Sequence, residues 1–163
     1  MDVYTDGSFN KKATMEASGW SVVIVREETP DHYLCDVFYG VITEESYTKM
    51  WNVGGEIYAA IFALDIMERE YKPAQLRIFH DYYGIFAWPS GTWRAKNGVT
   101  QDYRNFVIKH QKNRQISFRH VKGHTGILLN EVADHYAGKG IQEFLKDKST
   151  LHRIDEKLIP KSR

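Results

Sequence analysis

Four acidic side chains stand where carboxylates can do chemistry. Asp6 closes the strand-like run Val3-Tyr4-Thr5-Asp6 directly before a glycine. Glu56 follows Gly54-Gly55 at the start of a helical stretch. Asp81 ends Leu76-Arg77-Ile78-Phe79-His80, and Asp134 follows His124, which stands between Gly123 and Gly126. Singly, each has a plain structural explanation. Asp before Gly is a turn residue, Glu at a helix start suits the helix dipole, Asp after a strand caps a helix, Asp in mid-helix is solvated, and a loop histidine is simply exposed. Brought together, the four could not all stay ionised unaided, because neighbouring like charges raise one another's pKa. Divalent cations remove that conflict. Oxygen ligands without cysteine favour Mg²⁺ or Mn²⁺ over Zn²⁺, and two such ions about 3.5–4 Å apart suit in-line cleavage of a phosphodiester.

Elements must then carry these residues to one place. Val3–Asp6, Gly19–Val25 and Tyr33–Val41 read as three strands joined by short turns, an antiparallel meander. From Gly55 to Tyr71 the period changes: Ile57, Ala60, Ile61, Leu64 and Met67 share one helical face, and Pro73 ends the helix. Leu76–His80 is a fourth strand. Residues 82–99 are mixed, broken by Pro89, Gly91 and Gly98. Thr100 is expected to cap a helix reaching Gln111. Ile116–Val121 is a fifth strand, and residues 127–146 a last helix. The order β-β-β-α-β-α-β-α predicts an α/β fold. Its mixed five-stranded sheet has three antiparallel strands first and two more parallel to the first, with helices on both faces. Sites in such sheets gather outside the carboxyl ends of parallel strands. Asp81 meets that condition, and Asp6 joins it if the first and fourth strands are neighbours. Residues 1–146 form the expected domain, and 147–163 a charged, loosely held tail.

The 163 residues suit one domain with a real core. Cys35 is alone, which excludes an internal disulfide and a thiolate metal site. No apolar run approaches the ~20 residues that span a bilayer, and the start lacks a signal-peptide pattern. The expectation is a cytoplasmic monomer with no membrane partner. Net charge is +1, but residues 1–81 hold 7 Lys/Arg against 14 Asp/Glu, a balance of −7, and residues 82–163 hold 15 against 7, a balance of +8. Such segregation fits an acidic metal pocket beside a basic phosphate face, or a surface that merely happens to be divided.

Jointly, the motifs resemble ribonuclease H, type 1. The similarity rests on Tyr4-Thr5-Asp6-Gly7-Ser8, Gly55-Glu56-Ile57-Tyr58-Ala59-Ala60 and His80-Asp81. It rests most of all on Val121-Lys122-Gly123-His124-Thr125-Gly126 followed by Asn130-Glu131-Val132-Ala133-Asp134. It spans about residues 1–145 and implies the ribonuclease H-like fold. By resemblance, the chain hydrolyses the RNA strand of an RNA–DNA hybrid with two Mg²⁺ ions (Mn²⁺ substituting), leaving 5′-phosphate and 3′-hydroxyl ends. Asp6 then bridges both ions, Glu56 and Asp81 complete the leaving-group ion, and Asp134 holds the ion that activates water. His124 assists proton transfer or product release from a mobile loop.

Several positions depart from the family's pattern. Asn52 matches an asparagine near the hybrid's minor groove, but Trp51 stands where many relatives carry a threonine that helps hold a DNA phosphate. The loop at residues 9–18, glycine-rich in many relatives, contains Lys11, Lys12 and Met15. The basic handle many relatives carry after Asp81 is shortened. Trp88, Trp93, Arg94 and Lys96 remain as a channel for the DNA strand, since aromatic and basic groups suit a sugar–phosphate track. The alternative for the two tryptophans is packing. With few phosphates neutralised, hybrid binding is expected to be weak and salt-sensitive. Integrases, transposases and junction resolvases share the fold but lack the histidine loop with Asn-Glu-x-x-Asp. A non-catalytic binder would lack one of the acids. Met1 directly before the first strand favours a free-standing protein over a domain of a larger polypeptide.

Overall fold

The strand nearest the middle of the sheet sets the architecture. In the computed structural model, which describes residues 1–10 and 16–162, β1 (Asp2–Ser8) pairs antiparallel with β2 (Ser18–Glu28) on one side. On its other side it pairs in parallel with β4 (Gln75–His80). Beyond β2 lies β3 (His32–Ile42), antiparallel, and beyond β4 lies β5 (Gln115–His120), parallel. Asp6 and Asp81 therefore end neighbouring strands that point the same way.

The tail corrects the expected strand count and the expectation of a loose C-terminus. Leu151–Pro160 forms β6, which pairs antiparallel with β3 and gives the sheet order β5-β4-β1-β2-β3-β6. Its charges obscured it as a strand in the sequence, yet charges suit an edge strand, where they oppose pairing with other chains. Arg153 grips Glu70 with two bonds of 2.9 and 2.8 Å, and Lys161 reaches Glu28 at 2.7 Å. At a break in register between Cys35 and Val37, the buried Asp36 accepts from the Glu156 N–H at 2.9 Å, from Arg26 at 3.1 Å and from the Tyr71 hydroxyl.

Helices cover both faces because strand side chains alternate. Trp20, Val22, Ile24 and Phe38 point to one face, where they join the larger core with α2 (Asn52–Ile66) and α4 (Gly98–Gln111). Val23, Val37 and Tyr39 point to the other, against Leu129, Ala133 and Tyr136 of α5 (Leu128–Asp147). A short α1 (Glu45–Thr48) precedes α2, and α2 ends in a π turn, Met67–Tyr71. Two local expectations change. Residues 82–99 hold a helix, α3 (Gly84–Ser90), with Pro89 near its end. Thr100 is not the cap of α4: Asn97 is, its side chain accepting from the Thr100 N–H at 2.8 Å while the Thr100 hydroxyl accepts from the Asn97 N–H at 3.3 Å.

Candidate active site

The end of β1 meets the start of α2 with no room for side chains between them. A Cβ on Gly7 would lie 2.3 Å from the Glu56 nitrogen, and one on Gly55 would lie 2.0 Å from the Gly19 carbonyl oxygen. Glycine at both positions lets α2 close on β1 and β2, which carries Glu56 against Asp6. Asp81 arrives from the end of β4. One carboxylate oxygen from each of Asp6, Glu56 and Asp81 lies within 4.8 Å of the others. Asp6 and Glu56 are 2% exposed. The Gly7 N–H donates to Asp6 Oδ1 at 2.8 Å, while Asp6 Oδ2 and Glu56 Oε2 are buried with no hydrogen-bond partner.

Unsatisfied buried carboxylate oxygens are costly unless a cation or proton meets them. Burial first, then the nearby Asp81 and Asp134 charges, raises the Asp6 carboxyl from its ordinary 3.8 to about 7, against the lowering effect of the adjoining Glu56 carboxyl and of the Gly7 N–H. Burial and the Asp6 charge push Glu56 well above the usual range. An all-oxygen set of clustered carboxylates with orphaned buried oxygens fits hard divalent ions.

Asp134 stands apart from this trio. It is exposed on α5, outside the 4.8 Å group, though its charge acts on Asp6. Its helix is anchored beside the site: Ser21, the register partner of Asp6, donates to the carbonyl of Ala133 at 2.5 Å. The histidine loop also reaches the cluster. A Cβ on Gly123 would lie 3.2 Å from Asp81 Oδ2, and His124 follows, exposed and with a left-handed φ of 59°.

The expected strand contacts divide. Asn52 is the exposed first residue of α2. Trp93 and Arg94 line an open cavity of about 510 Å³ with Gln101, Arg104 and Asn105, while Lys96 is exposed nearby in sequence but is not among the lining residues. Trp88 is corrected from a strand contact to a support. It is 8% exposed in the larger core and meets Trp93 edge-on at 5.6 Å, because it lies on the inner face of α3. Lys11, Lys12 and Met15 lie outside the described residues.

Three contributors escaped sequence reading. Arg104 falls on the same α4 surface as Gln101, a helical spacing that could have marked it. His120 donates from Nε2 to the Asp81 carbonyl at 2.8 Å, fixing the backbone of that acid. Only the parallel register of β4 with β5, which sets His80 beside His120, reveals it. Phe9 stands just past β1 and packs on Trp51.

A mixed sheet with acids from two adjacent parallel strand ends and a crossing helix defines a ribonuclease H-like nuclease fold. The RNase H family profile matches residues 1–142, and the chain belongs to that family of nuclease hydrolases. It is 29% identical over 154 residues to the ribonuclease H of Hahella chejuensis, covering 89% of this chain and 95% of that one. It is 28% identical over 158 residues to the ribonuclease H of Methylococcus capsulatus, covering 88% and 90%. Among solved structures, RNase H1 of the archaeon Halobacterium salinarum superposes with a TM-score of 0.68 at 17% identity, covering 87% of this chain and 97% of that one. LC11-RNase H1, solved in complex with an RNA/DNA hybrid, also gives 0.68, at 21% identity, covering 88% and 98%. No helix among the described residues is long and apolar enough to cross a membrane.

Proposed function

We propose that this protein is a metal-dependent endoribonuclease that hydrolyses the RNA strand of RNA–DNA hybrids, leaving 5′-phosphate and 3′-hydroxyl ends. The observation that carries the reading is the trio Asp6, Glu56 and Asp81, with two buried oxygens lacking partners, on an RNase H family sheet. The hybrid seen with LC11-RNase H1 supports the substrate.

Asp6, Glu56 and Asp81 would hold divalent ions, with Asp134 completing the set from α5. Magnesium, or manganese in its place, supplies when bound the charge that activates water and stabilises the leaving oxygen. The chain's own groups do the rest. The Gly7 N–H holds Asp6 through Oδ1, and His120 holds the Asp81 backbone in place. The burial of Glu56 keeps bulk water off its carboxylate, which strengthens every charge interaction there. The His124 imidazole, exposed on its loop, moves a proton to or from the reacting phosphate. Asn52, Trp93, Arg94 and Lys96 contact the strands.

The test offers hybrid, duplex RNA, duplex DNA and single-stranded RNA with Mg²⁺, Mn²⁺ or chelator. RNA cut only within the hybrid and only with metal is the expected result. Cleavage of single-stranded RNA in chelator would overturn the reading.

A further inference from the structure

Trp51 occupies a position that a tryptophan should avoid. The Val53 N–H donates to the Met50 carbonyl at 3.2 Å, closing a tight turn in which Trp51 is the first central residue, with φ 58° and ψ −129°. Those angles belong to a type II′ turn, whose first central position is dominated by glycine. A bulky residue held there is strained, and strain of this kind gathers at functional sites. Packing does not account for it, because the side chain is 56% exposed.

The strained turn presents the indole at the start of α2, the helix that carries Glu56. Among the described residues its ring contact is with Phe9, at 6.0 Å and 32°. Phe9 lies three residues beyond Asp6, and Trp51 five residues before Glu56. The two rings therefore come from the same strand end and helix start that carry the acids, and the Asn52 carbonyl between them lies against Gly7. An indole offers a flat apolar face and one N–H, with no charge to neutralise a phosphate.

We propose that Trp51, backed by Phe9, is an aromatic subsite that holds one nucleoside of the bound nucleic acid by its flat sugar or base face and not by its phosphate. The inference rests on the hybrid-cleaving function above. It assigns to the groove a grip that does not depend on counterion release.

Cleavage kinetics on a short hybrid across a salt series test it, with the wild type, Trp51→Ala and Trp51→Phe. Stacking strengths per base predict that Trp51→Ala raises KM roughly 5- to 100-fold with kcat held within about twofold. Trp51→Phe recovers most of the loss, and the slope of log KM against log salt stays that of the wild type. Trp51→Gly, which relieves the turn, melts about 2–4 °C higher while its KM rises as for alanine. A loss seen equally on blunt hybrids assigns the contact to a sugar. A loss confined to hybrids with an unpaired nucleotide assigns it to a base. A wild-type KM in Trp51→Ala, a salt slope altered by about one as for a phosphate contact, or a lower melting point in Trp51→Gly would each overturn the proposal. A wild-type protein that leaves the hybrid uncut overturns the parent function and this subsite with it, whereas active wild type with an unaffected Trp51→Ala removes the subsite alone.

Discussion

Asp6 and His80 pull the pH dependence of the metal-free protein in opposite directions. The folded Asp6 carboxyl titrates near 7 against an ordinary 3.8, so its contribution is fully present below 3.8 and is lost as pH rises through 7. His80 is fully buried, and burial lowers it from 6.5 to about 4. Its contribution is present above 6.5 and lost as pH falls toward 4. In chelator, the two slopes therefore oppose each other and largely cancel where their windows overlap, between about pH 4 and 6.5, which leaves a decline toward pH 7 as Asp6 finishes titrating. Asp6→Asn should flatten that high-pH decline and abolish hybrid cleavage while the fold persists, as read by thermal melts and the cleavage assay. A mutant that keeps full activity would remove Asp6 from the site. The identities of the acids were legible in their order along the chain. The separate standing of Asp134 was not, because sequence spacing places it on a helix but not at a depth. Trp88 was misread for the same reason: composition marks an aromatic, and only packing decides which way it faces.

At the scale of elements, the strands with alternating apolar residues and the helix with a 3.6-residue period were legible, since burial on one face writes its period into the sequence. The elements that escaped are those whose partners lie far away. The edge strand β6 is half solvated and bulged at Asp155 and Glu156, opposite Asp36 of β3, so its alternation is weak. The closeness of α2 to β1 is written in glycines that look like loop residues. That contact makes a sharp expectation. Gly55→Ala would place a methyl against the Gly19 carbonyl, which cannot yield without moving β2. Denaturant melts should show a loss of about 1–3 kcal/mol, typical of overpacking. Activity should fall further than stability, because Glu56 retreats with its helix. Gly138→Ala in α5, with nothing within 4 Å, should instead be neutral or stabilising by about 0.4–1 kcal/mol. Equal effects of the two substitutions would contradict this account of the close approach.

Over the whole molecule, the opposite charges of the two halves acquire a location. The acids of the first half include the buried Asp6 and Glu56, while Arg94 and Arg104 of the second border the open cavity and Lys96 and Lys122 lie exposed. Three or four phosphate contacts from such a set imply that raising salt from 50 to 200 mM weakens hybrid binding roughly 40- to 150-fold. Fluorescence anisotropy with a hybrid in Ca²⁺ or chelator would measure this. An affinity unchanged by salt would rule out a phosphate track on this face. The charge division was visible in the sequence, but which cations share a surface was not, because α4 and the segment before it meet only in three dimensions.

The sixth strand also seals the molecule's one sulfhydryl. Cys35 pairs with Lys157 of β6 and faces Leu129 and Ala133 of α5. It is fully buried, and burial with the neighbouring Asp36 pushes its thiol up to about 12. A thiol so placed is inert while the edge stays closed. Its sulfur becomes reachable in the moments when β6 or α5 lifts from β3, so the chain carries a native clock for the breathing of these elements, set on the far side of β2 from the strand that bears Asp6.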